Sequence, residues 1–285
     1  MSPSSLVATI HWASICEFDF SDGIVFKCHL IMFNQTPITM KKPIMIVGLI
    51  AFAISAMMAQ TDYQQWEVMG ITPKADQLDL FKTGLGAHNK KYHATDPYKV
   101  SIVSVLTGPN SGQFTWLMGP CTWTQLDARM TKGEHDGDWD KTVAPNIESY
   151  GEVSYWRLDK DINYQAANAT TFTKARLRFY TVIPGEGDRL TDLFKKVAEV
   201  YKKKQYAASY NVYRRQGASA GPSVVVSLNF AKWSFFDSPN SLMKDYEEMY
   251  GANSWNRFLD DFALCIDRSK TYDELNELVP ELSSN

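Results

Sequence analysis

Cysteine is scarce, with four in 285 residues, and charge of one sign is never in excess, since 29 lysines and arginines face 32 aspartates and glutamates. A net charge of −3 gives no electrostatic reason to hold nucleic acid or an anionic membrane. Histidine is also sparse: there are five, and none follows His135. The second half therefore has no imidazole to offer as a ligand. It also has none to activate Ser219 of "GASAG" (217–221), although that stretch fits the G-x-S-x-G pattern of a hydrolase nucleophile. Long apolar runs are missing with one exception. "MKKPIMIVGLIAFAISAMMAQ" (40–60) places Lys41 and Lys42 before an uncharged stretch from Pro43 to Ala59. A basic start, an apolar centre and small residues at the end are the features of an export signal. The run is shorter than the roughly 20 apolar residues of a spanning helix. The sequence thus predicts a signal peptide over 40–59, cleavage at Ala59/Gln60 and a periplasmic or secreted protein, with no membrane attachment after cleavage. Residues 1–39 read as a non-native upstream extension from a wrong start codon, which sets aside Cys16, Cys28, His11 and His29. Cys121 and Cys265 remain, and two separate buried thiols are favoured over a disulfide.

What is present is an internal repeat. "DLFKTGLGAHNKK" (79–91) matches "DLFKKVAEVYKKK" (192–204), "YKVSIVSVLTGPNSG" is echoed by "YNVYRRQGASAG", and "CTWTQLD" (121–127) by "AKWSFFD" (231–237). His88 thereby corresponds to Tyr201, and Trp123 to Trp233. Each unit reads strand, helix, strand, strand, helix, strand. In the first, "QQWEVMGIT" leads to a helix whose apolar positions Leu78, Phe81, Leu85, His88 and Tyr92 recur at intervals of three and four. "YKVSIVSVL" and "GQFTWLMGP" form a hairpin, followed by a helix over 138–149 with Asp138 as its N-cap and a strand "EVSYWRL". The second repeats this with "ARLRFYTVI", a helix from Asp188, a hairpin of "YNVYRRQ" and "PSVVVSLNF", and a helix around "WNRFLDDFALCI". The expected divisions are unit 1 over 60–158, a polar linker over 159–174, and unit 2 over 175–285.

A β-α-β-β-α-β unit covers one sheet face with helices and leaves the other bare, so a tandem repeat can bury both bare faces together. At this point the chain resembles the dimeric α/β-barrel superfamily, the ferredoxin-like pairs that include antibiotic-biosynthesis-monooxygenase-like, EthD-like and NIPSNAP-like proteins. "HNKKYHATDPY…TGPNSGQFTWLMGPCTW" is similar to a secreted bacterial group of that type. The resemblance implies an α+β fold, with two ferredoxin-like units packed as an intramolecular barrel. It brings no catalytic motif.

Strand alternation assigns the faces. Trp116, Met118 and Pro120, with Val226, Leu228 and Phe230, are expected under the helices. That leaves Thr115, Leu117, Cys121 and Trp123, with Val225, Ser227, Asn229 and Trp233, towards the lumen. In the first strands Trp66, Val68, Leu177 and Phe179 are assigned to the helix side, so Glu67, Met69, Arg176, Arg178 and Tyr180 face the lumen. The expected site is a cavity lined by Met69, Trp123, Tyr180 and Trp233, with Glu67, Arg176, Arg178 and Asn229 as polar groups. If the sheets instead simply pack, Glu67 and Arg178 would be a satisfied ion pair.

Other motifs fail. "HDGDWD" (135–140) places aspartates at calcium-loop positions, but Lys141 and Ile147 stand where glycine and glutamate belong. His88 reads as a core histidine, and His93 as a weak candidate for acid–base work at a cavity mouth. The sequence calls for no cofactor and no metal. The leading reading is an exported protein that binds a small aromatic or anionic ligand between its sheets. The alternatives are a cofactor-independent monooxygenase or isomerase, and a structural or stress domain with a filled lumen. A small-molecule ligand and a homo-oligomer are the partners expected.

Overall fold

The computed structural model describes residues 13–19, 25–31, 63–129, 133–217, 219, 221–238 and 241–284. The expected signal peptide and its cleavage point lie outside the described residues. The chain divides into two compact units, 1–60 and 61–285. Within the first, β1 (Ala13–Asp19) and β2 (Val25–Ile31) pair antiparallel.

The second unit begins with β3 (Gln65–Pro73), α1 (Leu78–Tyr92), β4 (Val100–Val105), β5 (Phe114–Cys121), a short α2 (Trp123–Asp127), α3 (Glu134–Thr142) and β6 (Ile147–Leu158). It continues with β7 (Lys174–Tyr180), α4 (Gly187–Lys204), β8 (Ser209–Gln216), β9 (Val224–Phe230), α5 (Leu242–Tyr250), α6 (Ser254–Cys265) and β10 (Tyr272–Leu278). The eight strands β3–β10 close into one barrel in the order β10-β4-β5-β3-β6-β8-β9-β7, with every neighbouring pair antiparallel. The pairs β6–β8 and β4–β10 join the first four strands to the last four. The result is an α+β fold with a continuous sheet around a lumen and helices outside.

The outer face has two apolar cores. Under α1, Phe81 and Leu85 pack with Ile71, Ile102, Trp116 and Met118. Under α4, Leu190, Phe194 and Val197 pack with Tyr180, Val212, Val226 and Phe258. The apolar stripe read from the sequence is therefore the buried face of α1, and the matched residues Phe81 and Phe194 are both buried. The chain end also packs on the first half. Ser283 Oγ accepts from Ile102 N at 3.0 Å, Ser284 Oγ from Val100 N at 2.9 Å, and the Leu282 carbonyl from Asn89 Nδ2 at 2.8 Å.

Several elements differ from expectation. The helix expected over 138–149 is α3, ending at Thr142, because Pro145 in the following turn lacks the N–H that another helical turn requires. Asp138 is thus mid-helix and not an N-cap, and β6 starts at Ile147. Thr122 ends strand β5 by a reciprocal cap with Gln125, its hydroxyl accepting from Gln125 N at 3.2 Å and its own N–H donating to Gln125 Oε1 at 2.8 Å. The segment between β6 and β7 is polar in composition but pinned to the core, with Ile162, Tyr164 and Ala166 buried and Tyr164 bridging to Tyr210. Cys121 and Cys265 are both buried free thiols.

Candidate functional site

The barrel encloses a cavity of about 860 Å³. Trp66 and Val68 of β3, Thr115 and Leu117 of β5, Trp156 of β6, Leu177 and Phe179 of β7, Tyr213 of β8, Val225 and Ser227 of β9, and Tyr272 of β10 line it. Over 115–117 and 225–229 the phase of β5 and β9 matches the alternation expected from the sequence. Cys121, expected in the lumen, does not line it and is buried with its thiol 3.6 Å from the Gln65 carbonyl oxygen, past a register shift in the β3–β5 ladder. The phase of β3 and β7 is opposite to that expected: Trp66, Val68, Leu177 and Phe179 face inward. The sequence pattern puts these bulky apolar residues on the helix side, yet the lumen takes them, and a one-residue change of phase moves every neighbour to the other face.

Of the expected site residues, Asn229 lines the lumen. Glu67 lies outside it, where both carboxylate oxygens accept from Arg129 Nη1 at 2.9 Å and one also accepts from the Tyr155 hydroxyl at 2.9 Å. Its ion-pair partner is Arg129 rather than Arg178. Arg176 and Arg178 both bind Asp273 on the adjacent strand, Arg176 through Nη2 at 2.5 Å and Arg178 through Nε at 3.1 Å. Met69 packs on the core under α1, and Tyr180 on Phe194 and Phe262 under α4 and α6. Trp123 and Trp233 start short helical turns beyond the strands. The first ring lies on Tyr155 with centroids 4.7 Å apart, and the second lies against Phe230 with Lys174 Nζ 5.5 Å from its centre. The structure does not bring these eight residues together.

The polar groups in the lumen are others. Glu274 on β10 is 3% exposed and accepts a 2.7 Å hydrogen bond from Asn110 Nδ2. Asn110 reaches it because Gly108, with φ of +90°, lets the β4–β5 turn lie on β10 where any Cβ would strike the Asp273 carbonyl oxygen. Burial raises the Glu274 carboxyl above its ordinary range, and the Asn110 bond opposes that only in part. Two residues along, the buried Asn276 Oδ1 has no hydrogen-bond partner. Arg215 pairs with Glu152 and lies over the Trp156 ring at 5.9 Å. Tyr272 stacks on Phe179 with centroids 4.7 Å apart, and Trp66 meets Tyr213 edge-on at 5.5 Å. Burial pushes the Tyr213 and Tyr272 hydroxyls up to about 12. One end of the cavity is rimmed by both hairpin turns, through Asn110 and Gln113 of the first and Ser219, Gly221 and Pro222 of the second. Ser219 is a rim residue whose hydroxyl accepts from Gly221 N at 3.0 Å.

Glu274 supplies a pH signature. A buried carboxyl with a raised native pKa contributes stability that is fully present below the unfolded value of 4.5 and is lost as pH rises through the native value. Glu274→Gln keeps the acceptor for Asn110 and removes the charge. Thermal melts should show the variant equal to wild type near pH 4 and more stable near pH 7.5, with a flatter profile between. Identical pH profiles for the two proteins would be the contrary result.

Outside the barrel, the three histidines of the first half converge. His88 and Tyr92 sit on α1, His93 is its C-cap residue and His135 lies on α3. His88 and His93 are buried, and one ring nitrogen from each histidine lies within 4.8 Å of the other two. His93 does not approach the lumen; burial, aided by the other two histidines, lowers it to about 4. Reading each histidine alone as core or loop misses the grouping. The available signal is that all three fall in one unit, two of them five positions apart at the end of one helix.

No protein family and no curated protein matches the chain. Among solved structures, similar chain paths occur in an anthrone oxidase-like protein, with 10% identity over 78% of this chain and 93% of that one and a TM-score of 0.49. They also occur in chlorite dismutase from Candidatus Nitrospira defluvii, with 7% identity over 80% and 96% and a TM-score of 0.49. A heme-binding protein from Thermus thermophilus shares 12% identity over 77% and 92% with a TM-score of 0.45. At these identities the likeness is one of chain path alone.

Proposed function

We propose that the barrel lumen binds a small aromatic molecule carrying a hydrogen-bond donor, in a protein exported by the signal at 40–59 and derived from two tandem ferredoxin-like units. The carrying observation is the cavity of about 860 Å³ walled by aromatic and aliphatic side chains with Glu274 and the unpartnered Asn276 Oδ1 inside. That volume falls within the roughly 300–1,000 Å³ of small-molecule pockets, where apolar area supplies affinity and a few polar groups fix orientation. The lumen is open rather than filled, which counts against a purely structural domain. Its charges favour a donor over an anion: Arg215 is already paired with Glu152, Glu274 would repel a carboxylate, and the two arginines expected to face an anion lie outside on Asp273. Haem does not fit, since none of the lining residues is His, Cys or Met, and the lining tyrosines are held far from the tyrosinate form. The closed sheet leaves no free strand edge in the barrel, so copies of the chain would pair through helical faces.

The test is a pair of titrations followed by tryptophan fluorescence, with 1-naphthol and 1-naphthoate as probes. Saturable binding is expected for 1-naphthol, at least about tenfold tighter than for the anion, and weakened about tenfold by Glu274→Ala, the worth of one buried hydrogen bond to a carboxyl. Equal binding of the anion, or no saturation by either probe, would sink the reading.

A second reading follows from Glu274 itself. A buried carboxyl with a raised pKa beside an aromatic cavity suits a general base that takes a proton from carbon, the first step of a cofactor-independent oxygenase or isomerase. 1-Tetralone, an aromatic ketone with an acidic α-carbon, would then incorporate solvent deuterium faster in the presence of wild-type protein than of Glu274→Gln. Equal rates remove this reading and leave the binding one intact.

A further inference from the structure

We propose that His88, His93 and His135 hold one Zn²⁺ outside the barrel through their three Nε2 atoms, with a water molecule in the fourth position.

The hydrogen bonds fix which nitrogen of each ring is available. His93 Nδ1 lies 3.0 Å from the Tyr98 carbonyl oxygen, which can only accept, so Nδ1 carries the proton and Nε2 of the neutral ring bears the lone pair. His88 Nδ1 lies 2.9 Å from Asp138 Oδ2, and His135 Nδ1 2.8 Å from Asp136 Oδ1, with the same consequence. All three rings are thus oriented by an oxygen on Nδ1, the arrangement by which metal-binding imidazoles are held and made more basic. Two of those oxygens are carboxylates, which offset part of a cation's charge.

The other three nitrogens lack what they need. His88 Nε2 is buried and has no hydrogen-bond partner. His93 Nε2 and His135 Nε2 stand 3.3 Å apart, and with the protons on both Nδ1 atoms this brings two lone pairs together where a cation can sit. Two nitrogens each about 2.0–2.1 Å from a tetrahedral metal stand about 3.3–3.4 Å apart, so this spacing is that of a zinc site. The ring centroids are 4.9 to 5.5 Å apart in all three pairings, so the imidazoles face a common point. Three neutral imidazoles select zinc or its transition-metal neighbours over calcium and magnesium, which prefer oxygen.

The surroundings supply a dry wall and an opening. Trp139 packs edge-on to His88 at 5.1 Å and Trp116 to His93 at 5.5 Å. The His135 side chain is 21% exposed, which places the fourth position towards solvent. Arg129, whose charge acts on His93, is neutralised by Glu67. Helix proximity depends on Gly84, one turn before His88, where a Cβ would overlap the Thr142 carbonyl oxygen at the end of α3.

The test uses the purified protein stripped with EDTA, equilibrated with zinc sulfate and passed through a gel-filtration column. About one zinc per chain should be retained, and cobalt(II) in its place should give the visible bands of a four-coordinate site. His135→Ala removes the ligand at the rim, so its fold is expected to survive, as circular dichroism would verify; it should retain less than about a tenth of the zinc and lose the cobalt bands. Asp138→Asn should weaken zinc about 10–100-fold by loosening His88 without removing a ligand. Wild-type protein that retains no zinc, or His135→Ala that retains as much as wild type, would overturn the site.

Discussion

Leu117→Trp should abolish binding of 1-naphthol in the lumen, by at least about 100-fold, while leaving the thermal midpoint nearly unchanged. Leu117 lies on the inner face of β5, level with Val68 across the β3–β5 ladder, and both line the cavity. A tryptophan there grows into about 860 Å³ of space and not into packed neighbours, so the overpacking cost of about 1–3 kcal/mol for a full core is largely avoided. The same bulk occupies the volume a two-ring ligand needs, and each factor of ten in affinity is about 1.4 kcal/mol, a sum easily lost when a ligand is displaced from its apolar wall. The outward Met118→Trp makes the contrast, since its site is fully buried under α1; it should lower the thermal midpoint by that overpacking cost without informing on binding. If Leu117→Trp binds 1-naphthol as wild type does, the probe sits elsewhere.

Phe81→Ala and Phe194→Ala should each destabilise the protein by about 3–5 kcal/mol, the usual cost of removing a buried aromatic ring. The two are matched positions on α1 and α4, exposed by 0% and 3%. More telling than the magnitude is the shape of the unfolding curve. The β6–β8 and β4–β10 pairs complete the sheet, and the C-terminal serines bond to β4, so neither half has a closed set of strand partners by itself. Both variants should therefore lower one common transition. Two separate transitions, each sensitive to only one of the substitutions, would show that the halves unfold independently.

The repeat in the sequence carries the architecture far, because Phe81, Leu85 and His88 recur at the same places as Phe194, Ala198 and Tyr201 and all six are buried. It cannot carry the phase of β3 and β7. In an ordinary one-sided sheet, Trp66 and Phe179 belong beneath helices and Glu67 and Arg178 do not; a closed barrel has two faces that both accept apolar residues, and outward charges find partners on neighbouring strands, as Arg178 finds Asp273. Alternation alone cannot choose between the faces in that case. Glu274 and Asn110, 164 positions apart, meet only when β10 closes against β4. The histidine set is similar: His88 and His93 are neighbours on a helix, but His135 joins them only through the packing of α3 on α1.

A barrel closed by a single chain has one further consequence. Glu274 occurs once in the lumen, on β10, and its Asn110 partner comes from a turn at only one end. A ligand inside is therefore not offered two equivalent poses related by rotation. Its donor has one address, and the molecule lies in one direction along the barrel axis. Only one of its ends then faces the hairpin rim, so the two ends of a bound molecule would meet different surroundings, which is the basis on which two isomers that differ only in which end carries the substituent would be told apart.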